Sequence, residues 1–295
     1  MNATGASCSN NRLPMIVAIT GAAGFVGRRL AERLSSQGHQ VRAVSLRTSP
    51  QPEALAGCQA VINLAGEPVA QRWTAAARQR IRDSRVQGTL QLVEAMRPHP
   101  PQVLVSASAV GYYGDHGEGT ISESSPAAHD FLGEVASEWE RAALTAEPLG
   151  ARVVRLRLGL VLGNGGGLQK MRLPFQLGLG GPIAGGRAWM PWVHLDDVTS
   201  LILFMLQEST VRGAFNAVSP HPVTNAQFTR ALGEALHRPA FLPIPGFALK
   251  LLYGEMASMI LASQRVLPEA TLRAGFTFDY PDVFAALRQI LSRAP

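Results

Sequence analysis

The sequence predicts an α/β fold: a doubly wound, mostly parallel sheet followed by a small, mainly helical C-terminal lobe. Three observations carry this. Short unbroken apolar runs alternate with longer amphipathic stretches, the pattern of buried parallel strands joined by crossover helices. A glycine turn follows the first apolar run at once and opens the first amphipathic stretch. The chain has 295 residues, 46% hydrophobic and 16% charged. That is apolar surface enough for a large core and too much for a disordered chain.

Residues 1–14 are polar and aperiodic, and read as a disordered tail without the apolar region of a signal peptide. From Met15 the character changes. MIVAIT reads as a strand buried on both faces. RRLAERLSSQGH has the helical spacing of Leu30 and Leu34 and stops at Gly38. VRAVS and QAVINLAG are the next two strands, and Thr74 to Met96 is a long helix ended by Pro98, Pro100 and Pro101. QVLVSAS is a fourth strand, Phe131 to Ala146 a helix, ARVVRLRLGLVLG a fifth strand with its exit loop, and GAFNAVS a later strand. Residues 163–186 are glycine-rich and read as a loop, whose backbone suits a mobile lid or an anion cradle. The stretch Phe247–Ala262 is interrupted by Lys250 and Glu255 and reads as a core helix rather than a membrane span. The expected domains are residues 15–220 and a C-terminal lobe over 221–295.

The net charge is +6, and Lys170 and Lys250 are the only lysines among 27 basic residues. The one dense basic run is Arg72, Arg78, Arg80, Arg82 and Arg85. No nucleic-acid partner is expected from it, and no membrane partner from the hydropathy. Arg78, Arg82 and Arg85 share one helical face, either solvated or reaching an anionic ligand. Cys8 and Cys58 are too far apart in sequence to suggest a structural disulfide, which points to a reducing cytoplasm. No histidine or cysteine spacing suggests a metal site, and no P-loop or nucleophile-elbow motif occurs.

Gly21-Ala22-Ala23-Gly24-Phe25-Val26-Gly27 stands directly between the first strand and the first helix. Gly21 makes the tight turn, Gly24 admits a pyrophosphate to the backbone, and Gly27 permits close helix–sheet packing. The helix N-terminus then offers free N–H donors to phosphate. Ala23, Phe25 and Val26 complete this cofactor cradle, and the fold is expected to be Rossmann-type. Where an NAD site carries an acidic residue, after the second strand, the chain has Ser45-Leu46-Arg47. A hydroxyl and a guanidinium suit a 2′-phosphate, so the expected cofactor is NADP(H).

With these residues the chain resembles the extended short-chain dehydrogenase/reductase superfamily. TGAAGFVG, Asn63-Leu64-Ala65-Gly66, Val86-Gln87-Gly88-Thr89 and Trp192-Val193-His194-Leu195-Asp196-Asp197-Val198 carry the match. SASAVGYYG, DFLGEVASEWE, LGLGGPIAGG and SQRVLPEATLRAGFTF resemble the atypical branch called epimerase family proteins, with a DUF1731-type C-terminus. The resemblance implies that Leu64 and Ala65 pass the cofactor's ribose region and that Arg85, on the flanking helix, touches ligand. It implies an NADP-binding protein with an unassigned small-molecule substrate of sugar-nucleotide-like class, and dimers are common among such proteins.

The superfamily's usual acid/base pair is Tyr-x-x-x-Lys on one helix. Tyr112, Tyr113, Tyr253 and Tyr280 are followed four places on by His116, Gly117, Ala257 and Phe284. Aligned on the helix, the two positions fall on Phe131 and Val135. The dyad is absent. Ser108 matches the superfamily's catalytic serine, and Ser106 precedes it on the same side of the strand. Tyr112 or Tyr113 is the candidate phenolic donor, and Glu134 a candidate carboxylate beside an apolar pocket. Two readings remain open: an oxidoreductase or epimerase with non-standard catalytic residues, or a non-catalytic NADP(H)-binding or sensing protein.

Overall fold

The computed structural model describes residues 14–292. The expected tail lies, apart from Pro14, outside them, as does Cys8. The first strand, β1 (Ile16–Thr20), runs through the glycine turn into α1 (Phe25–Ser36), whose buried face is Gly27, Leu30 and Leu34. β2 (Gln40–Val44) and β3 (Ala60–Asn63) follow. The long α2 (Ala75–Met96) is started by Thr74, whose hydroxyl accepts from the Ala77 N–H. β4 (Val103–Ala109) leads to a 3-10 turn at Val110–Tyr113 and then to β5 (Thr120–Ile121). α3 (Phe131–Leu144) is capped by Asp130. β6 (Arg152–Leu158) and β7 (Leu160–Leu162) precede α4 (Gly166–Gln176).

β8 (Trp189–Met190) and β9 (Trp192–His194) lead into α5 (Leu195–Gln207), and β10 (Gly213–Ala217) ends the sheet. β11 (Val223–Thr224) opens α6 (Asn225–Leu236) through a capping box of Thr224 and Gln227. α7 (Gly246–Tyr253), α8 (Ala257–Leu261), β12 (Arg265–Val266), α9 (Glu269–Arg273) and α10 (Val283–Ser292) complete the helical C-terminal region.

The main sheet has six strands in the order β10-β6-β4-β3-β1-β2, all parallel. Side chains alternate across it, as the two-residue period demands. Val17, Ile19, Ile62, Val105 and Leu156 pack with α1 and α5 on one face; Ala18, Val61, Leu104 and Val153 pack with α2 and α3 on the other. The chain steps from β1 to β2 on one side and returns to β3 on the other. The crevice at the carboxyl ends of β1 and β3 is therefore the switch point where doubly wound folds take ligands.

Two expectations are corrected. Phe247–Ala262 is not a core helix. A 3-10 turn at Gly254–Met256 splits it into α7 and α8, and Phe247, Leu251 and Leu252 are 75%, 84% and 65% exposed. Lys250 and Glu255 are its only charged residues and mark no polar stripe, so periodicity named no buried face; only Met256 and Ala257 find one. The glycine-rich stretch 163–186 is not all loop, because Leu168 and Phe175 anchor α4 inside it. Among the described residues no helix is long and apolar enough to cross a membrane.

Candidate functional site

The glycine turn stands at the switch point. Gly21 has φ +69°, and a Cβ there would lie 2.9 Å from the Leu64 carbonyl. A Cβ on Gly27 would lie 2.2 Å from the Gly21 oxygen. Gly24 donates to the Gly21 carbonyl, and no side chain caps α1. Its first-turn N–H groups are left for an outside acceptor, and no acidic side chain occupies that turn. Ala23 and Gly24 are exposed; Phe25 and Val26 are half-buried. The Phe25 ring carries the start of the glycine-rich segment, since a Cβ on Gly163, Gly165 or Gly166 would come within 3.0 Å of it. The residues present thus form a cradle that fits a dinucleotide.

Ser45 and Arg47 are exposed just beyond β2, with the Ser45 hydroxyl accepting from the Arg47 N–H. The Leu64 and Ala65 N–H groups both donate to Thr20 Oγ1. Arg85 lies over Gly66, donates to the Glu67 and Ile81 carbonyls, and stacks on Trp139 at 5.2 Å. Burial pushes its pKa down to about 10, against the pull of Glu67. The three arginines of the α2 face are partly covered rather than free in solvent. Arg78 covers Phe131, Arg82 pairs with Glu134 and Glu138, and Arg85 meets Trp139, so all three pack along α3.

A buried polar ladder ends the strands on the α2–α3 face. Thr20 donates to Asn63, and Asn63 donates to Thr89 and, at 3.4 Å, to Ser106. Ser106 is 1% exposed. Next to it, Ser108 donates to Glu140 at 2.8 Å. Glu140 also accepts from Arg155 and twice from Arg157. Arg157 donates to the Tyr113 hydroxyl, which donates to Asn216 at 2.7 Å. Although burial opposes its charge, these hydrogen bonds and the Glu140 carboxylate hold the Arg157 pKa above its usual value. Burial pushes the Tyr113 phenol up to about 12, against the neighbouring Arg157.

The three candidate reactive hydroxyls therefore stand in different settings. Ser108 and Tyr113 are 2% and 1% exposed and already bonded. Tyr112 is half-buried, with its ring 3.6 Å from the Arg157 guanidinium and no hydrogen bond from its hydroxyl among the described residues. Glu134 does not sit beside an apolar pocket; it is about half exposed and faces Arg82. Glu140, Arg157, Asn216 and Thr20 were missed from sequence. The available signal was polar residues at the ends of otherwise apolar strands, and arginines alternating through RVVRLRL.

The parallel order, the switch point and the uncapped glycine turn define a Rossmann-type protein of the NAD(P)-binding class. Residues 17–217 match the NAD dependent epimerase/dehydratase family, and residues 244–290 match DUF1731, a domain of unknown function. The chain belongs to the NAD dependent epimerase/dehydratase family. An Arabidopsis thaliana protein, "Epimerase family protein SDR39U1 homolog, chloroplastic", is 39% identical over 96% of this chain and 89% of its own. Human epimerase family protein SDR39U1 is 36% identical over 94% of this chain and 100% of its own. The crystal structure of its isoform 2, with NADPH, superposes with TM-score 0.87 at 34% identity, covering 95% of this chain and 100% of that one.

Proposed function

We propose that this chain binds NADP(H) at the crevice between β1 and β3, and acts as an oxidoreductase or epimerase on a small molecule of sugar-nucleotide-like size. The carrying observation is the glycine turn with the uncapped start of α1 at the switch point. A 2′-phosphate is favoured over a free 2′-hydroxyl because β2 ends in exposed Ser45 and Arg47 with no carboxylate between them. The related human structure with NADPH supports the same choice. Leu64, Ala65 and Arg85 border the crevice, while Ser106 supports it from below.

When bound, the nicotinamide supplies hydride exchange. The protein's part is to orient the reactants and to hold a proton. Tyr112 is the residue we assign to the proton, because its phenol is partly open while that of Tyr113 is committed to Asn216 and Arg157. Ser108 and Tyr113 are positioning residues: with Glu140 they fix Arg157 against the Tyr112 ring. The second reading, a cofactor-binding protein without turnover, is favoured by Phe131 and Val135, which carry no ionisable group where the superfamily's dyad would stand. Two cysteines fifty residues apart, Cys8 and Cys58, suit a reducing compartment such as the cytoplasm.

The test is a titration with NADPH and separately with NADH, read by nicotinamide fluorescence and melting temperature. Binding of NADPH well ahead of NADH is expected. Binding of neither would overturn the assignment, and equal binding would remove Arg47 as the selector. Turnover of any alcohol or carbonyl compound by the loaded protein would exclude the second reading.

A further inference from the structure

Arg78 differs from its neighbours on α2. Arg80 and Arg82 pair with acids on adjoining segments, Glu67 and Glu134. Arg78 pairs with Glu255, 177 residues away on the turn between α7 and α8. The pair bridges α2 to the C-terminal region. The Arg78 guanidinium lies 4.9 Å from the centre of the Phe131 ring and 6.0 Å from that of Trp73. Trp73 and Phe131 meet edge to face at 5.2 Å. This cluster stands on the segments that leave the carboxyl ends of β3 and β4, strands that pair side by side next to the switch point.

One donor in it is unanswered. Glu255 accepts from Arg78 Nη2, and Arg78 Nε is buried with no acceptor among the described residues. A guanidinium offers Nε and Nη2 as one fork matched to two oxygens of a single oxyanion. The carboxylate that faces it is 65% exposed, on a turn whose preceding helix, α7, buries no residue. Such a pair is weakly held, because water screens an exposed carboxylate and holding two long side chains in one geometry costs entropy.

We propose that Arg78 recognises an oxyanion of the substrate, a phosphate or carboxylate on a planar or apolar body, and that Glu255 occupies this position until the substrate displaces it. Phe131 and Trp73 supply the apolar wall, and displacement of Glu255 frees the α7–α8 segment from α2. The inference deepens the reading of the site given above by naming the charge class of the substrate.

The test uses the full chain with phenyl phosphate and benzoate as probes and benzyl alcohol as the neutral counterpart, followed by calorimetry. Glu255→Gln is expected to bind one or both anions about tenfold more tightly than the parent, because the competing carboxylate is gone. Arg78→Gln is expected to lose anion binding, and benzyl alcohol to distinguish none of the three proteins. A gain with phenyl phosphate alone assigns a phosphate, and a gain with benzoate alone a carboxylate. Added anion should also speed amide exchange across residues 246–262 of the parent. An unchanged affinity in Glu255→Gln, undiminished binding in Arg78→Gln, or unaltered exchange would each overturn the proposal. The anion titrations are run without cofactor, and NADPH binding is measured separately on all three proteins. Failure to bind NADPH then removes the proposed function while the anion data still decide the role of Arg78.

Discussion

Glu140 is 4% exposed and accepts from Ser108, Arg155 and both Nε and Nη2 of Arg157. A buried carboxylate is tolerable only with this degree of pairing. Its removal would leave two guanidinium groups without their counter-charge. Glu140→Gln is therefore expected to destabilise the fold by about 3–5 kcal/mol, measured by urea unfolding. A loss under 1 kcal/mol would mean that the arginines are compensated elsewhere. The same residue shows what a sequence conceals. The helical period sets Glu140 beside Ala136, Trp139 and Ala143 on the apolar face of α3 and Glu134 and Glu138 on the other, but it does not name the serine and arginines that Glu140 meets.

At the scale of elements, the turn into α1 depends on close approach. The Cβ introduced by Gly27→Ala would meet the Gly21 oxygen at 2.2 Å and the Ala22 Cα at 2.9 Å. Both are backbone atoms, so the turn itself must shift. Overpacking of this kind costs about 1–3 kcal/mol, and the displaced N–H groups would no longer converge on one phosphate. Gly27→Ala is expected to abolish NADPH binding while the melting temperature falls only modestly; retained binding would show that the turn is not the cradle. This element was legible because its glycines stand between an apolar run and a helix with Leu30 and Leu34 on one side. α7 was not, because a segment whose one charged residue is Lys250 carries no period that says which face is covered, or whether any is.

At the scale of the molecule, three polar side chains stitch the C-terminal region to the sheet. Glu123 accepts from the Asn216 and Ala270 N–H groups. Gln264 donates to the Val110 and Gly114 carbonyls and so braces the turn that carries Tyr112 and Tyr113. Asp197, on α5, accepts from the Asp279 and Tyr280 N–H groups. Burial, helped by the nearby Asp279 and Asp196, pushes the Asp197 carboxyl up to about 6, although those N–H bonds oppose the shift. A folded-state pKa above the unfolded one makes the folded chain bind the proton more tightly. The stability from this group is thus fully present below about pH 4 and lost as the pH rises through about 6, a change of up to about 3 kcal/mol. Asp197→Asn should remove that dependence. Melting curves at pH 7, 6 and 5 are expected to show the parent gaining on the variant as the pH falls; parallel trends would refute it.

The sequence by itself determined the α/β class, the strands β1 to β4, the glycine turn and the absence of any Tyr-x-x-x-Lys spacing. These are local facts: apolar run length, glycine spacing and residue identity each act within a few positions. Only the tertiary structure decided which hydroxyls are spent and which are open. Tyr113 reaches Asn216 across 103 residues, and Arg78 reaches Glu255 across 177. A polar side chain's chemistry depends on its burial and on its partner, and both are set by strand order and by the docking of the C-terminal helices. That is why two adjacent tyrosines, indistinguishable in the sequence, differ so much in the fold.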